Sequence, residues 1–242
     1  YICRKDRTDK EPPALIAKLL GYGVLSCLPA IVVELILSAI IERLNVRNVY
    51  LGYFLEAFVV AGLTEETCKF LFLRTTWRNP AFDYQFDAIV YAVMVALGFA
   101  AFENVKYVYS YGFATGIVRA VTAVPGHAIF GVFMGYFYGY AKLSDYWGRD
   151  DDRKAYLALS VVVPVLMHGC YDFLAFTQES DSRFTLLFYA YLIALYVFGI
   201  RRVNRSSRDD RRVTRETVFD YFRRMQYPLP PQYRDRNDDF WR

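Results

Sequence analysis

Residues Tyr50 to Leu73 read YLGYFLEAFVVAGLTEETCKFLFL, an apolar run long enough to cross a bilayer as one helix. Inside it stand Glu65 and Glu66, side by side, with Lys69 one turn later. A single charge at the centre of a spanning helix costs roughly 2.5 to 3.5 kcal/mol even on the mildest scale. Two adjacent carboxylates therefore signal work done inside the membrane. This stretch also sets the unit for reading the rest of the chain: apolar runs of about twenty residues.

Five more such runs follow this pattern: Leu15–Ile41, Phe86–Tyr109, Gly116–Ala141, Tyr156–Phe176 and Phe184–Ile200. The composition agrees. The chain is 55% hydrophobic and 18% aromatic, too apolar for an ordinary soluble domain of 242 residues. Alternating ten-residue segments are absent, which argues against a β-barrel, and helices are expected throughout. The predicted architecture is all-α, a polytopic transmembrane helical bundle with six spans. The opening Tyr1-Ile2-Cys3 and its charged sequel look like the stub of an earlier helix, which would make seven. Cys3, Cys27, Cys68 and Cys170 form no CxxC pair and read as small hydrophobes.

Lys and Arg are unevenly shared between the two sets of loops. One side holds ten, from Arg4, Lys5, Arg7 and Lys10 through Arg74 and Arg78 to Lys142, Arg149, Arg153 and Lys154. The other holds three, Arg43, Arg47 and Arg183. The positive-inside rule then puts the first residues and the basic tail in the cytoplasm. Residues 1–200 are expected to form the membrane domain and 201–242 a cytoplasmic tail. Within that tail, Thr214 to Met225 reads either as a short amphipathic helix or as a solvated segment.

Four of the spans carry chemistry. Lys69 can reach both Glu65 and Glu66 at helical spacing, whereas the two carboxylates point about 100° apart and need not share one job. Phe102-Glu103-Asn104 precedes Tyr107, whose phenol is placed to donate to Glu103. Pro125-Gly126-His127 opens a glycine series, Gly131, Gly135 and Gly139, that lets another helix approach closely. His168 and Asp172 stand at i and i+4, where the carboxylate can fix the imidazole tautomer. Acids and imidazoles from four apolar helices imply a shared polar cavity. Such a set suits water-activating hydrolysis. It would also satisfy zinc. A proton-coupled transporter and a non-catalytic scaffold with polar helix glue are the alternatives.

Taken together, these motifs resemble the PrsW family of intramembrane proteases, itself similar to the group containing the CAAX prenyl proteases and bacteriocin-processing enzymes. Glu65-Glu66-Thr67-Cys68-Lys69 matches EExxK, and Phe102-Glu103-Asn104 with Tyr107 matches FENxxY. His127 and His168-Gly169-Cys170-Tyr171-Asp172 match two histidine motifs, and Glu11-Pro12, Phe86-Asp87 and Arg119 also fit. The resemblance runs from about Lys10 to Phe176. It implies a protease of membrane-protein substrates, in bacteria an anti-sigma factor, with no nucleic-acid partner. It also implies a helix before Tyr1. It leaves open a zinc enzyme or a metal-free, glutamate-dependent one. The expected catalytic set is Glu65, Glu66, Lys69, Glu103, His127, His168 and Asp172. Glu66 (or Glu65) is expected to be the base. If zinc is present, Glu103, His127 and His168 are its expected ligands.

Overall fold

A computed structural model describes residues 1–6 and 10–214. All regular elements among them are helical: α1 (Ile2–Lys5), α2 (Pro13–Arg43), α3 (Val49–Phe54), a π-helix (Leu55–Leu63), α4 (Thr64–Leu73), α5 (Asp87–Tyr111), α6 (Phe113–Val121), α7 (Ala123–Tyr146), α8 (Asp150–Ser180) and α9 (Arg183–Arg208). A 3₁₀ turn, Arg74–Thr76, ends α4. The all-α expectation is met, and the chain is an integral membrane protein. Large apolar side chains that a water-soluble protein would bury face outward here, such as Leu25, Leu28, Val32, Leu35 and Ile36 on α2.

Among the described residues, α2, α5, α6 with α7, α8 and α9 are long and apolar enough to cross a bilayer. The sixth expected span, Tyr50–Leu73, is helical from Val49 to Leu73 but divided. Its middle winds as a π-helix, a form found mostly at functional sites, and four charged residues lower its apolarity. Five of the six expected spans are thus long apolar helices or helix pairs, and Tyr50–Leu73 is a composite path.

The fourth expected span, Gly116–Ala141, is also interrupted. The backbone turns at Thr122 (φ −114°, ψ −64°), between α6 and α7. Pro125 explains the position: it lacks an N–H, and its ring excludes the carbonyl of residue i−4, which is Val121. That carbonyl is not left bare. The Tyr196 hydroxyl donates to the Val121 oxygen at 2.8 Å and to that of Thr122 at 3.0 Å.

α5 is the central helix. Of its most apolar window, 72% is buried within the protein, against 17% for α2, which leaves α2 mostly to lipid. α5 packs against α7 and α2, and α7 packs against α8. The predicted glycine stripe of α7 makes the first contact possible. A Cβ at Gly131 would lie 2.9 Å from the Ala92 carbonyl oxygen, and one at Gly139 would lie 2.6 Å from that of Gln85. A second close approach joins the π-helix to α8. A Cβ at Gly62 would meet the Val165 carbonyl oxygen at 3.1 Å, and one at Gly169 would overlap the Phe58 ring.

α9 continues past Ile200 to Arg208, and the chain then returns to the start of α5. Gln85 N–H donates to the Arg211 carbonyl at 2.8 Å and Val213 N–H to that of Asp83 at 2.8 Å. The amphipathic helix considered at Thr214 to Met225 lies, apart from Thr214, outside the described residues.

Candidate active site

All seven residues singled out in the sequence meet in the interior of the bundle. Glu65, Glu66, Lys69, Glu103, His127 and His168 are buried, and Asp172 is half-buried. α4 supplies the first three, α5 supplies Glu103, α7 supplies His127, and α8 supplies His168 and Asp172. The Gly62–Gly169 approach brings α4 against α8, so that Glu66 reaches His168. The break at Thr122 lets Arg119 on α6 and His127 on α7 converge on the same carboxylate.

Lys69 is the hub. Its Nζ donates to Glu66 Oε1 at 2.7 Å and to Glu65 Oε2 at 3.1 Å, lies 3.2 Å from His127 Nδ1, and sits 4.0 Å above the centre of the Phe99 ring. The two imidazoles are held alike. His127 Nε2 lies 2.9 Å from Glu103 Oε2, and His168 Nε2 lies 3.2 Å from Asp172 Oδ2. In both rings Nδ1 faces the inner cluster, His168 Nδ1 lying 2.9 Å from Glu66 Oε1. An outer carboxylate on one nitrogen, leaving the other turned inward, is the arrangement that orients histidine as a ligand or proton acceptor.

The two adjacent glutamates diverge, as their helical offset requires. Glu65 lines a cavity of about 370 Å³ together with Glu103, His127 and His168. Glu66 is fully buried behind it, and its Oε2 has no hydrogen-bond partner. Burying such an oxygen without a partner is costly, so the atom is a natural ligand position.

Glu65, Glu66, His127 and His168 each offer a ligand atom, and these atoms lie within 4.8 Å of one another. Two imidazoles and carboxylates are zinc-type donors. Glu103, expected among the ligands, is outside this quartet and instead holds His127 from behind. Lys69 touches three members of the quartet, Glu65, Glu66 and His127. The carboxylates of Glu65, Glu66, Glu103 and Asp172 outnumber Lys69 and Arg119 by two, an excess that one divalent ion or protons held within the cluster would balance.

Arg119 had only a family likeness to suggest it. Its guanidinium bonds Glu103 Oε2 at 2.8 Å and stacks 3.6 Å from the Tyr107 ring centre. Glu103 thus receives a guanidinium as well as His127, while the Tyr107 ring, expected to act through its phenol, serves as a platform for Arg119. Sequence reasoning also missed Glu34, Ser38, Glu56 and Lys106, which line the same cavity. Glu56 carried a signal, a charge inside a span. Ser38 Oγ donates to its Oε2 at 3.2 Å.

Comparison with known proteins places the chain in a family. The model of the PrsW family intramembrane metalloproteases matches residues 11–200. Protease PrsW of Bacillus subtilis (strain 168) is 34% identical over 207 residues, covering 85% of this chain and 88% of the relative. That of Oceanobacillus iheyensis is 34% identical over 208 residues, covering 86% and 89%. That of Clostridioides difficile (strain 630) is 30% identical over 218 residues, covering 88% of each chain. No solved structure matches. With the family model covering most of its length and every helix of its buried acid–imidazole cluster inside the match, the chain belongs to the PrsW family of intramembrane metalloproteases.

Proposed function

We propose that this protein hydrolyses a peptide bond of a membrane-spanning substrate in the cavity beside Glu65, with a membrane-bound regulatory protein such as an anti-sigma factor as the candidate substrate. The observation that carries this reading is the difference between the two glutamates: one opens on the cavity and the other is sealed behind it. Glu65 is therefore the residue to take a proton from the attacking water and return it to the leaving amine. Glu66, which the sequence reading preferred as base, instead anchors His168 and Lys69. Glu103 with Arg119 holds His127, and Asp172 holds His168. Both imidazoles are thereby fixed in orientation on the wall of the cavity, the kind of preorganisation that serves charge developing in a reaction there.

The donor chemistry and the unpartnered Glu66 oxygen fit a divalent metal. Glu66, His127 and His168 would hold it, with Glu65 facing the cavity. Such an ion supplies Lewis-acid polarisation of the carbonyl and of water. Lys69 lies within 3.2 Å of three of the four donor residues, so it must withdraw when an ion binds.

Glu34 and Ser38 on α2 and Lys106 on α5 carry the cavity lining toward the ends of those helices that join the loops poor in Lys and Arg. Water and substrate would enter from that side, the side opposite the cytoplasm by the positive-inside rule.

The test is cleavage of a single-span membrane substrate by protein reconstituted in proteoliposomes. Glu65→Gln and Glu66→Gln should each lower the rate by at least about 100-fold, the lower end of what a positioned general base contributes. Both should insert as wild type does but melt lower, Glu66→Gln the more so, because each removes a buried partner of Lys69. Full activity in both variants would overturn the mechanism.

A further inference from the structure

A second cavity, of about 450 Å³, lies where α4 ends and α8 begins, at the Lys- and Arg-rich end of the bundle. Arg74, Trp77 and Arg78 form one wall, just after Leu73 closes the apolar part of α4. Arg153, Lys154 and Leu157, from the first turns of α8, form the other. Four cations thus surround one hollow at the level where apolar helices give way to loops.

The acidic groups nearby compensate the cations of one wall, Arg153 and Lys154, and leave those of the other. Asp150, Asp151 and Asp152 open α8, but each is engaged by a cation of the same segment. Asp150 lies 3.0 Å from Arg153, Asp151 3.8 Å from Lys154 and Asp152 3.4 Å from Arg149. Asp145 also takes Arg153, at 3.1 Å. Arg74 and Arg78, by contrast, pair with no carboxylate among the described residues. The Arg153 guanidinium, although bridging two aspartates, keeps its Nε–H buried and without an acceptor. Trp77 is fixed from behind, its carbonyl accepting from Lys142 Nζ at 2.6 Å. The hollow therefore combines two guanidinium groups without a carboxylate among the described residues, Arg74 and Arg78, with two apolar walls, Trp77 and Leu157.

We propose that this cavity binds the phosphate of an anionic phospholipid from the leaflet at the Lys- and Arg-rich end of the bundle. Guanidinium groups match phosphate oxygens in pairs. Basic pockets between spanning helices at this level suit lipid headgroups, and Trp belongs at the same interface. Leu157 and the indole give the glycerol and the first acyl carbons a surface that a soluble phosphate would not use. Because Arg74 follows directly on the helix that carries Glu65, Glu66 and Lys69, the lipid braces the end of the catalytic helix against α8. The binding claim stands on this cavity alone and does not depend on the peptidase reading.

The test is titration of delipidated protein in neutral detergent with phosphatidylglycerol and with phosphatidylcholine, bound lipid being counted by native mass spectrometry. Phosphatidylglycerol should bind more tightly than phosphatidylcholine. Arg74→Gln with Arg78→Gln should weaken it by about 25-fold, about fivefold for each cation removed. Arg78→Gln with Lys154→Gln, one from each wall, should do the same if the first variant is poorly folded. Arg4→Gln with Arg208→Gln, exposed cations outside the cavity, should change it less than twofold. Equal affinity for both lipids, or unchanged phosphatidylglycerol binding in both cavity variants, would overturn the proposal. Glycerol 1-phosphate binding as tightly as phosphatidylglycerol would overturn the lipid assignment and leave a soluble phosphate as the ligand.

Discussion

At the scale of single residues, Lys69 explains how two adjacent glutamates are tolerated inside the bundle. Its ammonium bonds both carboxylates, and the Phe99 ring below adds a cation–π contact. Removing one partner of a buried ion pair costs about 3 to 5 kcal/mol, because the other charge is left uncompensated. Lys69→Met should therefore melt well below wild type when free of metal. The same change removes the cation that competes with a divalent ion for the quartet. Isothermal titration should show zinc bound at least about tenfold more tightly, about 1.4 kcal/mol, with melting largely restored. Unchanged zinc affinity would place the ion away from Lys69. The outer carboxylates act through the imidazoles. Asp172→Asn should lower zinc affinity or peptidase rate by about 10- to 100-fold with little effect on melting, the usual cost of losing a carboxylate behind a ligand histidine.

At the scale of elements, the site depends on how closely helices approach. The stripe Gly131, Gly135 and Gly139 lets α7 lie on the backbone of α5, which sets His127 at the height of Glu103. Gly131→Val would push a side chain against the Ala92 carbonyl oxygen, 2.9 Å from the position of a Cβ. Such overpacking costs about 1 to 3 kcal/mol, so the detergent-solubilised variant should melt lower. Wild-type melting would show that the two helices can separate without penalty. The π-helix and the break at Thr122 are the other devices. Each departs from a regular helix beside the cavity, and each redirects charged side chains: Glu65 toward the cavity, and Arg119 and His127 toward Glu103. The spacing of Glu65, Glu66 and Lys69 was readable as a shared helix face because it is local. The π-helix was not readable, since its apolar sequence, Leu55 to Leu63, suits an α-helix equally well.

For the whole molecule, charge balance in the interior gives a further expectation. Glu65, Glu66, Glu103 and Asp172 set against Lys69 and Arg119 leave two carboxylates in excess around His127 and His168. If two protons balance them in the metal-free protein, zinc uptake should release about two protons per ion, measured as the difference in titration heat between buffers of unlike ionisation enthalpy. Release of none would mean that the imidazoles are already neutral and that the charge is balanced elsewhere.

By itself the sequence determined that this is an all-helical membrane protein and which residues form its polar core. Both follow from local facts: apolar runs of bilayer length, and charged residues too costly to leave in lipid without a purpose. The tertiary structure alone decided how those residues divide their work. Glu65 and Glu66 are adjacent in sequence, and only the packing of α8 and α7 against α4 seals one and opens the other to the cavity. Arg119 joins Glu103 because Pro125 breaks the helix four residues earlier, an outcome that requires Tyr196 from a distant span to satisfy the freed carbonyl. The direction in which a side chain faces depends on contacts between helices far apart in the chain, and periodicity within one helix carries no information about its neighbours.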